Sequence, residues 1–180
     1  MKKKTLVVIM VMLIFFMGCT SSVPEEPGPK LPIELPFAVH KAGATVSTAL
    51  WIYKNKKSPL NNYPFSLEFM FREGDAADRA RVRKLTGGGG TINGKPAEPG
   101  IPIPLKITIH VIDASGEKPF LEKEVITLAI CAWGSNHFMR KIDTIHMPPG
   151  LYRVTIVNLR DIPELADTKV KFHIHYPRWK

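Results

Sequence analysis

Pro148-Pro149-Gly150-Leu151-Tyr152-Arg153-Val154-Thr155-Ile156-Val157 is the stretch that decides the fold class. The Pro-Pro-Gly triplet supplies a turn, and Tyr152, Val154 and Ile156 then alternate with Arg153, Thr155 and Val157, the period of a strand with one buried face. A second strand answers it at the C-terminus. Val170, Phe172, Ile174 and Tyr176 are expected to face the core there, with Lys169, Lys171, His173 and His175 on the solvent side. A short helical turn, capped by Asp161 with Glu164 three residues on, is expected between the two.

Working outward, the same period recurs at nearly even spacing. Leu31 to Val39 reads as a proline-interrupted edge strand, Thr45 to Tyr53 as the next, and Tyr63 to Phe71 places five aromatic or aliphatic side chains on one face. Leu105, Ile107, Ile109 and Val111 line one face of a further strand. Phe120 to Trp133 turns apolar on both faces toward its end and is expected to be a central strand with Cys131 buried in it. Phe138 to Met147 completes the set. One helix is expected from Asp75 to Leu85, with Asp75 as N-cap and Gly87 as the stop. Strands joined by turns, with one short helix, predict a mainly β chain: an antiparallel two-sheet β-sandwich of immunoglobulin-like or transthyretin-like arrangement. The run Pro149 to Ile156 resembles the turn-and-strand of many exported sandwich domains, which implies a corner role for Tyr152.

The start of the chain speaks to compartment. Lys2, Lys3 and Lys4 precede an apolar run from Leu6 to Met17, shorter than the ~20 residues a membrane-spanning helix needs, and the run closes on Gly18-Cys19. This is the pattern of a secretory signal. Phe16-Met17-Gly18-Cys19 resembles the lipobox of bacterial lipoproteins, where Leu and then Ala or Ser are preferred at the positions held by Phe16 and Met17. The resemblance implies cleavage after residue 18, acylation of Cys19 and, because Thr20 is not Asp, delivery to the periplasmic face of the outer membrane. Residues 1–18 are then a signal peptide, 19–30 a flexible Ser, Pro, Glu and Gly tether reaching about 30 Å, and 31–180 the sandwich domain.

The 180-residue chain carries a formal charge of +9, of which Lys2, Lys3 and Lys4 supply three, leaving +6 on the exported part. Export excludes nucleic acid as the partner and points to anionic lipid, lipopolysaccharide or an acidic protein. Two basic clusters stand out as binding candidates: Lys54, Lys56 and Lys57, and Arg79, Arg81, Arg83 and Lys84 on the helix. The glycines Gly87 to Gly90 follow the helix, the reverse of a phosphate-cradling loop. His173 and His175 are weak metal candidates by their strand spacing, but Lys169 and Lys171 share their face and repel a cation, and no third ligand is identifiable, His110 and His146 being the histidines that could come near. No Gly-x-Ser-x-Gly elbow occurs, Ser135-Asn136-His137 reads as a turn, and Cys131 sits in an apolar run unsuited to a reactive thiolate. No cofactor is expected.

Most of the mature chain is also similar to a family of uncharacterised proteobacterial lipoproteins with a domain of unknown function. That resemblance carries no catalytic motif. The expectation is a membrane-anchored periplasmic lipoprotein, not an enzyme, whose sandwich binds another periplasmic or secreted protein as a structural subunit or immunity-type inhibitor. The alternative is an envelope component contacting lipid or lipopolysaccharide through its basic turns, with a metal-dependent or hydrolytic enzyme third.

Overall fold

The computed structural model describes residues 30–53, 61–88, 91–92, 95–96 and 98–176. Among the described residues eleven strands run in the order β1 (Ile33–Pro36), β2 (Thr45–Ile52), β3 (Asn62–Met70), β4 (Thr91–Ile92), β5 (Lys95–Pro96), β6 (Ile103–Asp113), β7 (Gly116–Thr127), β8 (Ile130–Trp133), β9 (His137–His146), β10 (Gly150–Asn158) and β11 (Val170–Ile174). A helix, α1 (Ala76–Thr86), follows β3, and a 3-10 turn spans Pro163–Leu165. The strands form an antiparallel five-stranded sheet, β1-β11-β3-β9-β8, an antiparallel four-stranded sheet, β2-β10-β6-β7, and the small β4-β5 ribbon.

The two larger sheets make the expected β-sandwich. Phe65, Leu67, Phe69, Phe172 and Ile174 from one meet Leu50, Leu105, Ile107, Ile109, Val154 and Ile156 from the other, all essentially without solvent contact. Phe65 and Phe172 pack edge to face at 5.7 Å, the geometry that aromatic quadrupoles favour. The turn before β10 is fastened by Tyr152, whose hydroxyl donates to the Pro148 carbonyl at 2.9 Å, so the residue singled out for a corner role does tie its strand to the backbone upstream. α1 begins where expected: the Asp75 side chain accepts the Asp78 amide, and Gly87 at φ 85° ends the helix in a conformation costly for a side chain.

Three expectations are corrected. Phe120 to Trp133 is not one central strand. It is divided between β7, an edge of the four-stranded sheet, and β8, an edge of the other, because the chain crosses between sheets after Thr127. The apolar residues near the crossing therefore lie open, with Ile126 63% and Trp133 70% exposed, and Cys131 on β8 is exposed too. Asp161 does not cap the 3-10 turn, which starts from Ile162 without a side-chain cap; its carboxylate accepts the Ala42 amide instead. Tyr176 lies past the end of β11 and is exposed, since no pairing holds the alternation that far.

Candidate functional site

Alternation along β11 sends Val170, Phe172 and Ile174 into the core and Lys171 and His173 to the outer face of the five-stranded sheet. Because β11 lies between β1 and β3, these side chains meet Glu34, the cross-strand partner of His173, and Glu68, the partner of Lys171. Lys171 Nζ lies 2.9 Å from Glu34 Oε2 and 3.6 Å from Glu68 Oε2. On the next strand, His137 Nδ1 sits 3.1 Å from Glu68 Oε1. His173 Nε2 is 3.7 Å from Glu34 Oε1, and His175 Nε2 is 2.7 Å from Ser66 Oγ. A continuous polar network thus crosses four strands.

The network corrects the expectation that His173 faces solvent. It is only 8% exposed, because flanking strands and the His175 ring, 3.9 Å away between centroids, cover it. Burial pushes the His173 imidazole below its ordinary pKa, against the pull of the Glu34 and Glu68 carboxylates. The hydrogen bond from Lys171 holds the Glu34 carboxyl below its usual range, and the same bond raises the Lys171 ammonium. Gly134 is part of the arrangement: a Cβ there would stand 2.3 Å from Cε1 of His137, so the ring rests where only glycine leaves room.

Beside the network a cavity of about 470 Å³ opens over β3, β9 and β8, with Pro64, Ser66, Cys131, Met139, Lys141 and His175 among its lining. Its floor is mainly apolar, with Lys141 as the cation at its side. His173 and His175 stack on each other instead of converging on a point, and among the described residues no group of three His, Cys, Asp or Glu side chains is placed to hold a metal ion. His110 lies in the four-stranded sheet, and His146 ends β9 opposite Asn62.

The basic candidates separate. Arg81 is committed to the fold: its guanidinium reaches Asp78 Oδ1 at 2.8 Å and Thr168 Oγ1 at 3.0 Å, tying α1 to the segment that leads into β11. Arg79 lies over the Phe71 ring, 5.8 Å from its centroid, while Arg83 and Lys84 flank a shallow depression with Gly87, Gly88, Glu98 and Pro99. Lys54, Lys56, Lys57 and Cys19 lie outside the described residues.

A family model described as "Domain of unknown function (DUF5625)" matches residues 34–176, which contain the outer-face network and both sheets except Ile33 at the start of β1. The chain belongs to this family. Its fold is also similar to that of a protein in the crystal structure titled GEBA250068378, from Sulfurospirillum deleyianum, with a TM-score of 0.66 and 23% identity over 84% of this chain and all of that one. No curated protein matches.

Within the DUF5625 domain, sequence reasoning missed Arg140. This β9 residue has no solvent exposure, and its guanidinium donates to Thr127 Oγ1 at 3.0 Å, to the Ile101 carbonyl at 2.9 Å and to the Thr127 carbonyl. The signal was present, since Phe138, Arg140 and Ile142 share one parity in an alternating strand. Burial pushes the guanidinium down to about 10, which leaves it charged at neutral pH.

Proposed function

We propose that this chain is an exported lipoprotein, anchored through acylated Cys19 on the periplasmic face of the outer membrane, and that its sandwich is a non-enzymatic domain binding another periplasmic or secreted protein. It would serve as a structural subunit or an immunity-type inhibitor. The observation that carries the binding reading is the outer face of the five-stranded sheet. Lys171 is neutralised by Glu34 and Glu68, His137 is held by Glu68, and His175 by Ser66. The ionisable groups there fix one another beside a mainly apolar cavity, which gives a preordered surface that loses little entropy on contact.

A second reading is favoured by one feature. Arg79, Arg83 and Lys84 are exposed on α1 and join no carboxylate among the described residues, as suits the phosphates of lipid or lipopolysaccharide. Purification of the full chain in detergent, with bound proteins and bound lipids identified in the same sample by mass spectrometry, separates the two. A protein recovered in stoichiometric amount supports the first reading; phospholipid or lipopolysaccharide alone, lost on charge reversal of Arg79, Arg83 and Lys84 to Glu, supports the second. Recovery of neither overturns both. Cys19→Ser should abolish the acyl mass increment and yield either uncleaved precursor or a soluble form, since two or more chains anchor stably and none remain. Wild-type protein that is already soluble and without that increment refutes the anchor.

A further inference from the structure

β9 is irregular on both of its sides at nearly the same height. Its pairing with β3 shifts between Phe65 and Ser66, which passes over Ile142, and its pairing with β8 shifts between Ile130 and Ala132, which passes over Cys131. Bulges bend a strand and re-aim its side chains, and they gather next to functional sites. Here both border the outer-face cavity of about 470 Å³, a volume within the range of small-molecule pockets.

Strand register places the side chains around it. Lys141 stands opposite Ser66, Thr144 opposite Pro64, and Met139 opposite Ala132. Ser66 is taken up by its hydrogen bond with His175, and no carboxylate lies among the described residues that line the cavity. Lys141 differs in this respect from its counterparts on other strands. Lys106, Lys118, Lys123 and Lys171 reach Glu122, Asp113, Asp143 and Glu34 respectively, whereas Lys141 meets no carboxylate among the described residues. An uncompensated, exposed cation therefore stands beside an apolar floor, on a face where Lys171, Glu34 and Glu68 neutralise one another.

We propose that this cavity binds a small amphiphile, an apolar chain ending in one carboxylate, with the chain over Pro64, Met139 and Ala132 and the carboxylate on Lys141. One ammonium balances one charge, which suits a carboxylate better than a phosphate monoester carrying nearly two. The last residue of a peptide also ends in a carboxylate. The main chains of β3 and β9, however, are paired on both sides and offer a peptide backbone nothing to bond with beneath it. The site stands independently of the protein-binding reading and adds a ligand to it.

The test uses the full chain carrying Cys19→Ser, which keeps one thiol, Cys131, exposed and part of the cavity lining. Alkylation of Cys131 by neutral iodoacetamide, followed by mass spectrometry, should slow saturably when decanoate is added. The half-saturating concentration should rise by up to about fourfold for each methylene removed from the acid, as burial of the chain requires. Decyltrimethylammonium, with the same chain length and the opposite charge, should protect roughly tenfold less well. Lys141→Gln should weaken decanoate about fivefold and leave decanol unchanged, while Lys141→Arg keeps decanoate binding. The position is exposed, so the urea midpoint of Lys141→Gln should stay close to wild type. Ala132→Phe should fill the cavity and remove the effect of decanoate on the alkylation rate. Alkylation unaffected by decanoate, equal protection by decyltrimethylammonium, or equal loss of decanoate and decanol in Lys141→Gln overturns the proposal. So does protection that persists in a folded Ala132→Phe chain. Tighter binding of decyl phosphate, or of a peptide ending in leucine with a free carboxylate, overturns the ligand class.

Discussion

Replacing Arg140 by methionine keeps much of its volume and removes the charge, and it asks whether a buried cation that meets no carboxylate among the described residues holds this sandwich together or burdens it. The guanidinium ties β9 to Thr127, where the chain leaves β7 for the opposite sheet, and to Ile101, just before β6 begins. Arg140→Met would leave the two buried Thr127 acceptors and the partly buried Ile101 carbonyl without this donor, at about 2 kcal/mol each, or about 6 kcal/mol together. Against that, the variant no longer desolvates a cation. The drop from 12.5 to about 10 measures that relief, and at ~1.4 kcal/mol per pKa unit it is about 3 kcal/mol. The expected net loss is therefore about 3 kcal/mol, read as a lower urea midpoint at unchanged slope. Arg140→Lys retains the charge but cannot reach three acceptors in one plane, so its stability should fall between that of the methionine variant and wild type. Hydrogen exchange around Thr127 should accelerate in both variants more than at Phe65 or Leu67. A methionine variant as stable as wild type would refute the reasoning and show that the buried charge is a net burden, as some buried ion pairs are.

Other measurements probe the remaining structural claims. His173 resists protonation when folded, so the unfolded chain takes up a proton first as pH falls below about 6.5 and stability should decline from there, by at most about 1.4 kcal/mol per pH unit. Urea midpoints between pH 7 and pH 5, above the range where Glu34 titrates, should show this slope in wild type and a flatter one in His173→Asn; equal slopes contradict it. Tyr152→Phe removes the hydroxyl bond to Pro148 and should cost about 1 kcal/mol, seen as a melting temperature a few degrees lower. Phe172→Ala should cost ~3–5 kcal/mol by emptying the centre of the core, while Lys171→Ala, which breaks a partly solvated pair, should cost far less; comparable losses would mean the β11 register is wrong.

The parts of this architecture that were legible in the sequence are those where one face of a strand alone decides its pattern. β3, β6, β10 and β11 announce themselves because alternate side chains such as Leu67, Ile107, Val154 and Phe172 have nowhere to go but the space between the sheets. Asp75 and Gly87 mark α1 because capping is a local matter between a side chain or a φ angle and the nearest backbone. What escaped depends on which strands become neighbours, and composition does not encode that. The apolar run ending at Trp133 looks like a strand buried on both faces until the chain is seen to change sheets after Thr127, leaving Ile126, Cys131 and Trp133 exposed. His173 belongs to a polar parity, yet insertion of β11 between β1 and β3 packs Glu34, His175 and Ser66 around it and turns a solvent-side position into a buried one. The outer-face network follows from the same fact. Glu34, Glu68, His137 and Lys171 are scattered over more than a hundred residues, and only the order β1-β11-β3-β9 sets them side by side. Conversely, the cluster that sequence did place together, Arg79 to Lys84, is divided by its contacts, with Arg81 bound to Asp78 and Thr168 while Arg83 and Lys84 remain open.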